Sequence, residues 1–458
     1  MRDRRFTART FWLLALAMGL HLWSARGGAA LAAEPPSRSG RLPMTILRQM
    51  KSSKPRVRAA VVAKLDELPA ATAVRLLVEY GLGSPFVDLR HASYDALLAR
   101  GDDQEVCDDL LARVKKALRK QAADETTCGM LGVLIASELE PVRLATRELL
   151  DAIARQPGGR ALLVNLADEL GLQDDETSLA TLCKLSKLAL FEQVFAIRRT
   201  VARALTRSTR PEAIDALIEI LGRVDGEVRA DIARHLTTIS GEPHALDAER
   251  WRTWWQARRA TYGAKTDSMA MRPPPVYQPL YAAAPTRYYG LPIYAQRLVF
   301  VIDTSGSMSG PRLDAAKREL LLAIAGLPPG VWFNVLAFNG GVAAWSATLQ
   351  VASPANKALA AAYVVLQPAV GATSSYDALA AAMAFDVEAV YFLTDGQPSS
   401  GSIIIPGQIV TVLTALNHDR QVSINTLGIG VGPPGSVFEL FLLSLAAANH
   451  GVYRRVDQ

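Results

Sequence analysis

The feature that most constrains this chain is an apolar pentapeptide that runs directly into a short, oxygen-rich segment. Residues 298–302 have the length and the aliphatic and aromatic side chains of a buried strand. Asp303, Ser305 and Ser307 follow at alternate positions, with Gly306 between the two serines. Because a tight loop that contains glycine can turn these side chains towards one point, the segment predicts a cluster of oxygen atoms at the carboxyl end of a strand.

Such a cluster has the chemistry of a site for a hard divalent cation. Mg²⁺ takes oxygen ligands in near-octahedral geometry, with few carboxylates and some remaining waters. One carboxylate and two hydroxyls leave a doubly charged ion under-neutralised, so the ion can accept an acidic group from outside. The motif therefore predicts a metal-bridged contact.

Two later segments stand in the same setting. Thr373 lies in a loop at 371–375 ahead of a helical pattern, and 391–396 is an apolar strand that ends in Asp395 and a glycine. In this order the three segments resemble the metal-ion-dependent adhesion site of von Willebrand factor type A domains. The resemblance covers roughly the last third of the chain. It implies that Mg²⁺ (or Mn²⁺) is held, directly or through water, by Asp303, Ser305, Ser307, Thr373 and Asp395.

Strand and helix patterns alternate from residue 296 to the end of the chain. This alternation is typical of an α/β domain with a doubly wound, mostly parallel sheet, and we assign it to 296–458. Strands are predicted at 298–303, 331–338, 342–350, 389–394, 422–429 and 451–456. Helices are predicted at 311–326, 354–366, 375–385, 406–418 and 436–448. Ligands of such sheets bind at the carboxyl ends of the strands, where Asp303 and Asp395 both lie.

The segment 41–260 is helix-forming almost throughout and lacks strand patterning. It repeats a phrase in which an apolar residue and an arginine precede small and apolar residues at helical spacing. The copies are centred on Arg58, Arg90, Arg143, Arg198 and Arg229. They resemble HEAT-type repeats, in which stacked helix pairs bury a core that no single pair could bury. Under this interpretation the recurring arginine is a structural hydrogen-bond donor between repeats, and a non-repetitive helical bundle is the alternative.

Two aromatic segments follow the repeats. Trp251, Trp254 and Trp255 are predicted to cap the last repeat, with a carbohydrate or peptide platform as the alternative. Residues 261–295 are rich in proline and tyrosine, include three consecutive prolines at 273–275, and show no helical period. This composition favours extended polyproline structure, so a semi-rigid spacer is predicted between the two domains.

The first 32 residues have the layout of an export signal. A basic head precedes an apolar run at 11–20, and Ala30, Leu31 and Ala32 match an A-x-A cleavage site. An uncleaved membrane anchor is the alternative, although a spanning helix needs ~20 apolar residues and this run is shorter. Cleavage of 1–32 would leave an exported protein without a stable membrane span, in the periplasm, at the cell surface or outside the cell.

Charge and cysteine content argue against nucleic acid and zinc as ligands. The formal net charge is +6, and the leader contributes four of these charges through five arginines and one aspartate. The remaining chain is close to neutral, which leaves little electrostatic basis for nucleic acid binding. Cys107, Cys128 and Cys183 do not have zinc-site spacing. We expect buried thiols, with a disulfide between Cys107 and Cys128 as the alternative.

Three enzymatic signatures are approached without being matched. Residues 303–306 lack the glycine directly after the hydroxyl residue that an aspartic protease requires. Residues 430–435 match G-x-G-x-x-G, the pattern of dinucleotide-binding loops. Two prolines there remove backbone N–H donors that the pyrophosphate of a dinucleotide needs. Ser307 has no nucleophile motif around it, and His418 and His450 are predicted on the far sides of helices from the strand-end loops.

The chain is therefore predicted to be a multidomain, exported and non-enzymatic binding protein. An all-α, HEAT-like solenoid at 41–260 precedes a domain like that of von Willebrand factor type A at 296–458. The cation held around Asp303 would be completed by an exposed Asp or Glu of a protein partner. The alternative is an accessory or scaffold factor of an enzyme complex, in which the metal serves structure or assembly alone.

The leader gives a direct test of export. Protein isolated from its native host should begin near Ala33 or Glu34, because signal peptidase cuts after an A-x-A site. Mass spectrometry of the intact protein measures this end. Recovery of the chain from membranes with Met1 still attached would turn the signal into an anchor.

Overall fold

A computed structural model of the protein describes residues 44–120, 124–155, 159–173, 175–262 and 286–456. The predicted leader and most of the predicted spacer lie outside these ranges. The helical region and the α/β region belong to one compact unit, Pro43–Gln458. Within the described ranges, no helix combines the length and the apolarity needed to cross a bilayer.

The N-terminal region is all-helical. Its helices are α1 (Met44–Met50), α2 (Pro55–Ala63), α3 (Ala70–Leu76), α4 (Val87–Leu98), α5 (Gln104–Arg119), α6 (Glu125–Ala136), α7 (Glu140–Arg155), α8 (Gly159–Gln173), α9 (Glu176–Leu185), α10 (Ala189–Gln193), α11 (Phe195–Arg207), α12 (Pro211–Leu221), α13 (Gly226–Ser240) and α14 (Ala248–Gln256). Aspartates begin several of them. The side chains of Asp103, Asp124, Asp175 and Asp247 accept hydrogen bonds from backbone N–H groups of the first turn. Such caps satisfy otherwise unpaired donors and contribute about 0.5–2 kcal/mol each.

The recurring arginine has a repeated structural role. Arg58, Arg90 and Arg198 each donate from Nη1 to the carbonyl oxygen six residues earlier, which joins the arginine's helix to the turn before it. Arg58 also donates to both carboxylate oxygens of Asp88 in the next copy, at 2.9 and 2.7 Å. Arg58 thus links two copies of the phrase, whereas Arg143 forms an exposed pair with Glu140 of its own helix, so the predicted role between repeats holds for part of the set.

The three tryptophans close the helical region as a buried cluster. Trp251 and Trp254 meet edge to face, and Trp254 stacks on Trp255. The indole N–H of Trp251 donates to the Ala245 carbonyl, and that of Trp255 donates to Asp215. All three rings are buried, so they act as a cap, and the alternative of an exposed binding platform is wrong.

The cysteines are free thiols in the structure. Cys107 and Cys128 are buried on different helices and donate to different carbonyls, those of Gly101 and Leu162. Cys183 is only half-buried, so the prediction of buried thiols holds for two of the three.

The C-terminal region is an α/β domain. Its strands are β3 (Arg297–Asp303), β4 (Trp332–Phe338), β5 (Val342–Ala344), β6 (Gln350–Val351), β7 (Ala389–Thr394), β8 (Ser423–Ile429) and β9 (Tyr453–Val456), after a small hairpin of β1 (Arg287–Tyr288) and β2 (Leu291–Pro292). The sheet order is β5-β4-β3-β7-β8-β9, with β6 also paired to β4. The pairs from β4 to β9 are parallel, whereas β5 and β6 pair antiparallel with β4.

Helices cover both faces of this sheet. They are α15 (Pro311–Gly326), α16 (Pro354–Leu366), α17 (Ser375–Met383), α18 (Pro406–Asn417) and α19 (Val437–Ala448). Side chains alternate along β3, so that Leu298 and Phe300 pack with α15 and α16, while Val299 and Val301 pack with α17, α18 and α19. Because strands buried on both faces read as continuous apolar runs, the sequence revealed them clearly.

The predicted elements agree closely with the observed ones except at one edge. The predicted strand 342–350 is wrong in its middle, since β5 and β6 are separate strands. Buried Asn334 in β4 explains the interruption. Its amide nitrogen donates to the carbonyl of Ser346 at 2.7 Å and its amide oxygen accepts from the Ser346 N–H, so the chain bends there around a side chain.

The hairpin packs onto the sheet through Tyr288. This ring is buried against Phe300 and Tyr391, with centroids 5.3 and 6.3 Å away. The tyrosines at the end of the predicted spacer therefore belong to the core of the α/β domain.

The two regions contact each other directly, which the prediction of a spacer between separate domains did not include. Arg199 in α11 is 1% exposed and donates from Nη1 to the carbonyl of Gln421, at 2.7 Å, just ahead of β8. The same guanidinium donates from Nε to Asp231 in α13 at 2.8 Å. Arg203 contacts the ring of His450. Burial, together with Arg199 and Arg203, lowers the pKa of His450 to about 3.

Two buried glutamates lie at the same interface. The Glu388 carboxylate, just ahead of β7, accepts from the backbone N–H groups of Gln296 at 3.0 Å and Glu227 at 3.4 Å. Glu227 in turn accepts from the Ser423 hydroxyl at 3.3 Å. Burial raises the pKa of Glu227 to about 7, although Arg199 lies 3.9 Å away and favours the charged form. Burial likewise raises the pKa of Glu388.

These contacts lie at the amino ends of the parallel strands. Gln296 precedes β3, Glu388 precedes β7, and Ser423 begins β8. The helical region therefore packs against the amino ends of the strands, whereas Asp303 and Asp395 lie at their carboxyl ends.

The buried arginine gives a test of this interface. A protease recognition site inserted within 263–285 should be cut without separating the two halves on size-exclusion chromatography. Arg199→Met should weaken their association by roughly 1.5–3 kcal/mol, because it removes the buried, charged donor of the hydrogen bond to the Gln421 carbonyl across the interface. Arg75→Met is a matched control, since Arg75 forms an exposed pair with Glu79, four residues along the chain and within the helical region. Separation of the wild-type halves on cleavage would contradict the interface.

Glu227 gives a pH test with a defined sign. Between pH about 4.5 and 7, Glu227 is protonated at the interface and ionised once the halves part, so rising pH favours separation by up to roughly tenfold per unit. Glu227→Gln removes this proton while His450 and Glu388 titrate in both proteins. The ratio of the dissociation constants, wild type over variant, should therefore rise across this range and then level off. Titration calorimetry of the cleaved halves measures the ratio, and a constant ratio would contradict the account.

Candidate functional site

Parallel pairing of β3 with β7 places the two predicted acids side by side. Ile302 pairs with Leu393, so both strands end at the same level of the sheet. The next residue of β7, Thr394, donates its hydroxyl to Asp303 Oδ2 at 2.5 Å. Asp303 is fully buried beneath the loop that follows it, whereas Asp395 lies at the edge of a groove. Register alone therefore brings Asp303 next to the segment that carries Asp395.

A chain of hydrogen bonds joins the oxygens of this site. Asp303 Oδ1 accepts from the Ser305 N–H at 2.8 Å, which closes a tight turn after the strand. The hydroxyls of Ser305 and Ser307 lie 3.1 Å apart. The Ser307 hydroxyl then donates to Asp395 Oδ1 at 2.9 Å. Four of the five predicted ligands are thus linked one to the next.

Thr373, the fifth predicted ligand, lies on the wall of the same groove. Its backbone N–H donates to the Ser399 hydroxyl at 3.0 Å, and its carbonyl accepts from the Ser399 N–H at 2.9 Å. The Gly371 carbonyl accepts from the Gly306 N–H at 2.9 Å. The threonine loop is therefore fastened both to the loop after β7 and to the loop after β3.

Asp377, in the first turn of α17, holds the loop that follows Asp395. In the structure its carboxylate accepts from the Ser402 N–H at 3.2 and 3.1 Å, and so ties the loop after Asp395 onto α17. Its role is to hold the loop, which fits a supporting position better than a ligand position.

The site opens into a groove of about 600 Å³ at the carboxyl edge of the sheet. Ser307, Thr373 and Asp395 lie along it, and its far wall is the turn after β8, with Val431 and Pro433. That turn is the segment 430–435, whose glycines adopt positive φ angles. The glycines of the G-x-G-x-x-G pattern therefore shape the turn that forms one wall of the groove.

The oxygens suit a hard divalent cation by type. Two carboxylates and three hydroxyls are the ligands that Mg²⁺ or Mn²⁺ prefers. Among the described residues no group of three or more His, Cys, Asp or Glu side chains is placed to hold a metal, and this site has only two acids. Burial raises the pKa of Asp303 to about 6, because desolvation outweighs the hydrogen bonds from Thr394 and Ser305. A cation near this carboxylate would offset that desolvation.

Three residues of the site were not predicted. Thr394 was visible as the residue before Asp395, but its bond to Asp303 depends on strand register. Gly430 lines the groove because β8 ends beside β7. Arg312, at the start of α15, donates to Asp395 Oδ2 at 3.0 Å, and no sequence signal indicated that contact.

Among the residues that the structure describes, those that line the groove include no histidine. His418 contacts Asn165 of α8, and His450 contacts Arg203, so both lie on the interface with the helical region. Both histidines lie at the amino ends of the strands, whereas Ser307 lies at the carboxyl ends. This agrees with the prediction that they lie away from the strand-end loops. The Ser307 hydroxyl lies within hydrogen-bond distance of the Ser305 hydroxyl and the Asp395 carboxylate.

Comparison with known proteins supports the family suggested by the motifs. Residues 296–455 match the family model of the von Willebrand factor type A domain. The chain is 28% identical over 180 residues to inter-alpha-trypsin inhibitor heavy chain H3 of Mesocricetus auratus, which covers 36% of this chain and 20% of that protein. It is 30% identical over 171 residues to human von Willebrand factor A domain-containing protein 3A, covering 35% of this chain and 13% of that one.

Similar solved structures include a von Willebrand factor type A protein from Catenulispora acidiphila. That match has a TM-score of 0.32 at 24% identity and covers 35% of this chain and 38% of the other. The PilB minor pilin of Streptococcus sanguinis matches with a TM-score of 0.28 at 14% identity, covering 35% and 56%. The chain spans a fifth or less of the length of the curated relatives cited above. Residues 296–455 of this chain are a von Willebrand factor type A domain, and an all-helical region precedes it.

Proposed function

We propose that this protein binds a protein partner through a divalent cation held at the carboxyl edge of the α/β sheet. A von Willebrand factor type A domain suggests protein interaction or adhesion as the general function. The finer proposal is that Mg²⁺ or Mn²⁺ is held by Asp303, Ser305, Ser307, Thr373 and Asp395. An exposed Asp or Glu of the partner would complete the coordination.

The spacing of the oxygens carries this proposal. In an octahedron with bonds of about 2.0–2.1 Å, neighbouring ligand atoms lie about 2.8–3.0 Å apart. The Ser305 and Ser307 hydroxyls are 3.1 Å apart, and Ser307 Oγ is 2.9 Å from Asp395 Oδ1. These oxygens therefore already have the separation of adjacent ligands, held by a tight turn and by strand register. Little rearrangement would be needed for a cation to bind them.

The surroundings of the site favour binding over chemistry. The groove is open to solvent, and the helical region packs at the other end of the strands, so a large partner can approach. A metal with one partner carboxylate needs no proton transfer, which agrees with a site that offers hydroxyls and carboxylates without an imidazole. We infer a binding protein that is not an enzyme.

The place of action follows from the leader. The leader itself lies outside the described residues, so export remains part of the proposal. An accessory or scaffold role in an enzyme complex is the rival, and in that case the cation would stabilise the domain without a partner's acid.

Melting of the full chain tests the metal. Binding to the folded state adds RT ln(1 + [L]/Kd), about 2.7 kcal/mol at a concentration of 100 Kd, so Mn²⁺ should raise the Tm by several degrees. Asp303→Ala should abolish that rise, because it removes the buried charge that best offsets the ion. Asp395→Asn should act similarly if its charge matters, and mildly if it only orients water. Differential scanning calorimetry with Mn²⁺ and with EDTA measures these shifts.

Two variants make this result specific. Asp314→Ala removes an exposed acid from the same domain and should leave the rise in Tm unchanged. Thr373→Ala should melt like the wild type in EDTA and bind Mn²⁺ more weakly, since its backbone, and not its hydroxyl, fastens the loop. A wild-type Tm that is the same in Mn²⁺ and in EDTA would leave a folded domain without a working cation site.

A further inference from the structure

A cation of the protein already lies on one of the proposed metal ligands. Arg312 Nη1 donates to Asp395 Oδ2 at 3.0 Å and to the Ser307 carbonyl at 3.3 Å. The Asp395 side chain is 2% exposed and the Arg312 side chain is 36% exposed. Asp395 Oδ1 accepts from Ser307 at the same time. Both oxygens of this acid are therefore engaged in the structure.

The fold provides a place for this guanidinium. Arg312 follows Pro311, the first residue of α15, so the helix begins at the mouth of the groove. On the other side is Gly430, where φ is +65° and an added Cβ would come within 3.0 Å of Arg312 Nε. The absence of a side chain at Gly430 leaves room for the guanidinium. Arg312 and Asp395 are the two charged side chains among the described residues that line the groove.

We propose that Arg312 is an internal competitor of the divalent cation for the charge of Asp395. The two acids of the site carry two negative charges, and the guanidinium neutralises one of them. A metal ion that binds beside Ser307 must either share Asp395 with Arg312 or displace it. Because Arg312 is partly exposed, it can swing away into solvent, so the competition is graded and does not block the site.

This inference rests on the proposed metal site and specifies its regulation. Since coupling between two ligands is reciprocal, whatever draws Arg312 off Asp395 strengthens metal binding by the same factor. A carboxylate brought by a partner is a suitable second acceptor for the guanidinium, because arginine pairs well with planar acids. Metal and acidic partner would then bind cooperatively, each weak without the other.

The affinity of the full chain for Mn²⁺ alone tests the competition. Electron paramagnetic resonance of the free ion measures it at constant ionic strength. Arg312→Gln should bind Mn²⁺ roughly 5- to 20-fold more tightly than the wild type, given a partly exposed ion pair. Arg318→Gln is the matched control, since it removes an exposed arginine from the same helix, and its affinity should stay within about twofold. Arg312→Lys, which keeps the charge, should lie closer to the wild type.

Melting supplies a second readout. In EDTA, Arg312→Gln should have a lower Tm than Arg318→Gln, because Asp395 loses its cation, and Mn²⁺ should raise its Tm by more. A lower Tm in EDTA with unchanged Mn²⁺ affinity would make Arg312 only a structural clamp and overturn the inference. Weaker Mn²⁺ binding in Arg312→Gln would overturn it too, and both results leave the proposed function standing. If no variant binds Mn²⁺, the proposed function itself fails. Binding in Arg312→Gln alone would support the competition.

Discussion

The candidate site of this protein depends on the parallel pairing of β3 with β7. That register ends both strands at one level and allows Thr394 to donate to Asp303, although 91 residues separate them. Loops that leave neighbouring parallel strands at their carboxyl ends cannot avoid each other, and here they bring serine, threonine and aspartate oxygens together. Sheet topology thus brings these oxygens together, and the tight turn after Asp303 sets the positions of the two serines.

The opposite edge of the sheet is used for internal contact. Arg199, Glu227 and Glu388 are ionisable side chains buried where the helical region meets the amino ends of the strands. Buried ion pairs contribute little net stability after desolvation, but they are costly to break one partner at a time. Such an interface fixes one arrangement of the two regions. The helical region can then hold the domain in a defined orientation and leave its carboxyl edge open.

Most of the fold was predictable because its strands are buried on both faces and its helices begin at recognisable residues. Helix α15 begins at Pro311 as predicted, and the five proposed ligands were predicted from three ordered motifs and the family that they resemble. Three features were not predictable. Asn334 interrupts a strand through a side-chain contact, the interface uses single charges scattered over distant segments, and Arg312 reaches Asp395 through a long side chain. Each depends on tertiary position, which local pattern does not encode.

Anomalous diffraction from a crystal of the full chain grown with Mn²⁺ tests the central claim most directly. The account predicts one strong anomalous peak in bonding contact with the hydroxyls of Ser305 and Ser307, about 2.0–2.2 Å from each, and on the side of Asp395. It predicts as well that the guanidinium of Arg312 shares or leaves Asp395. Ordered water at that position without an anomalous peak, with Arg312 still on Asp395 at high Mn²⁺ concentration, would contradict a cation-binding function.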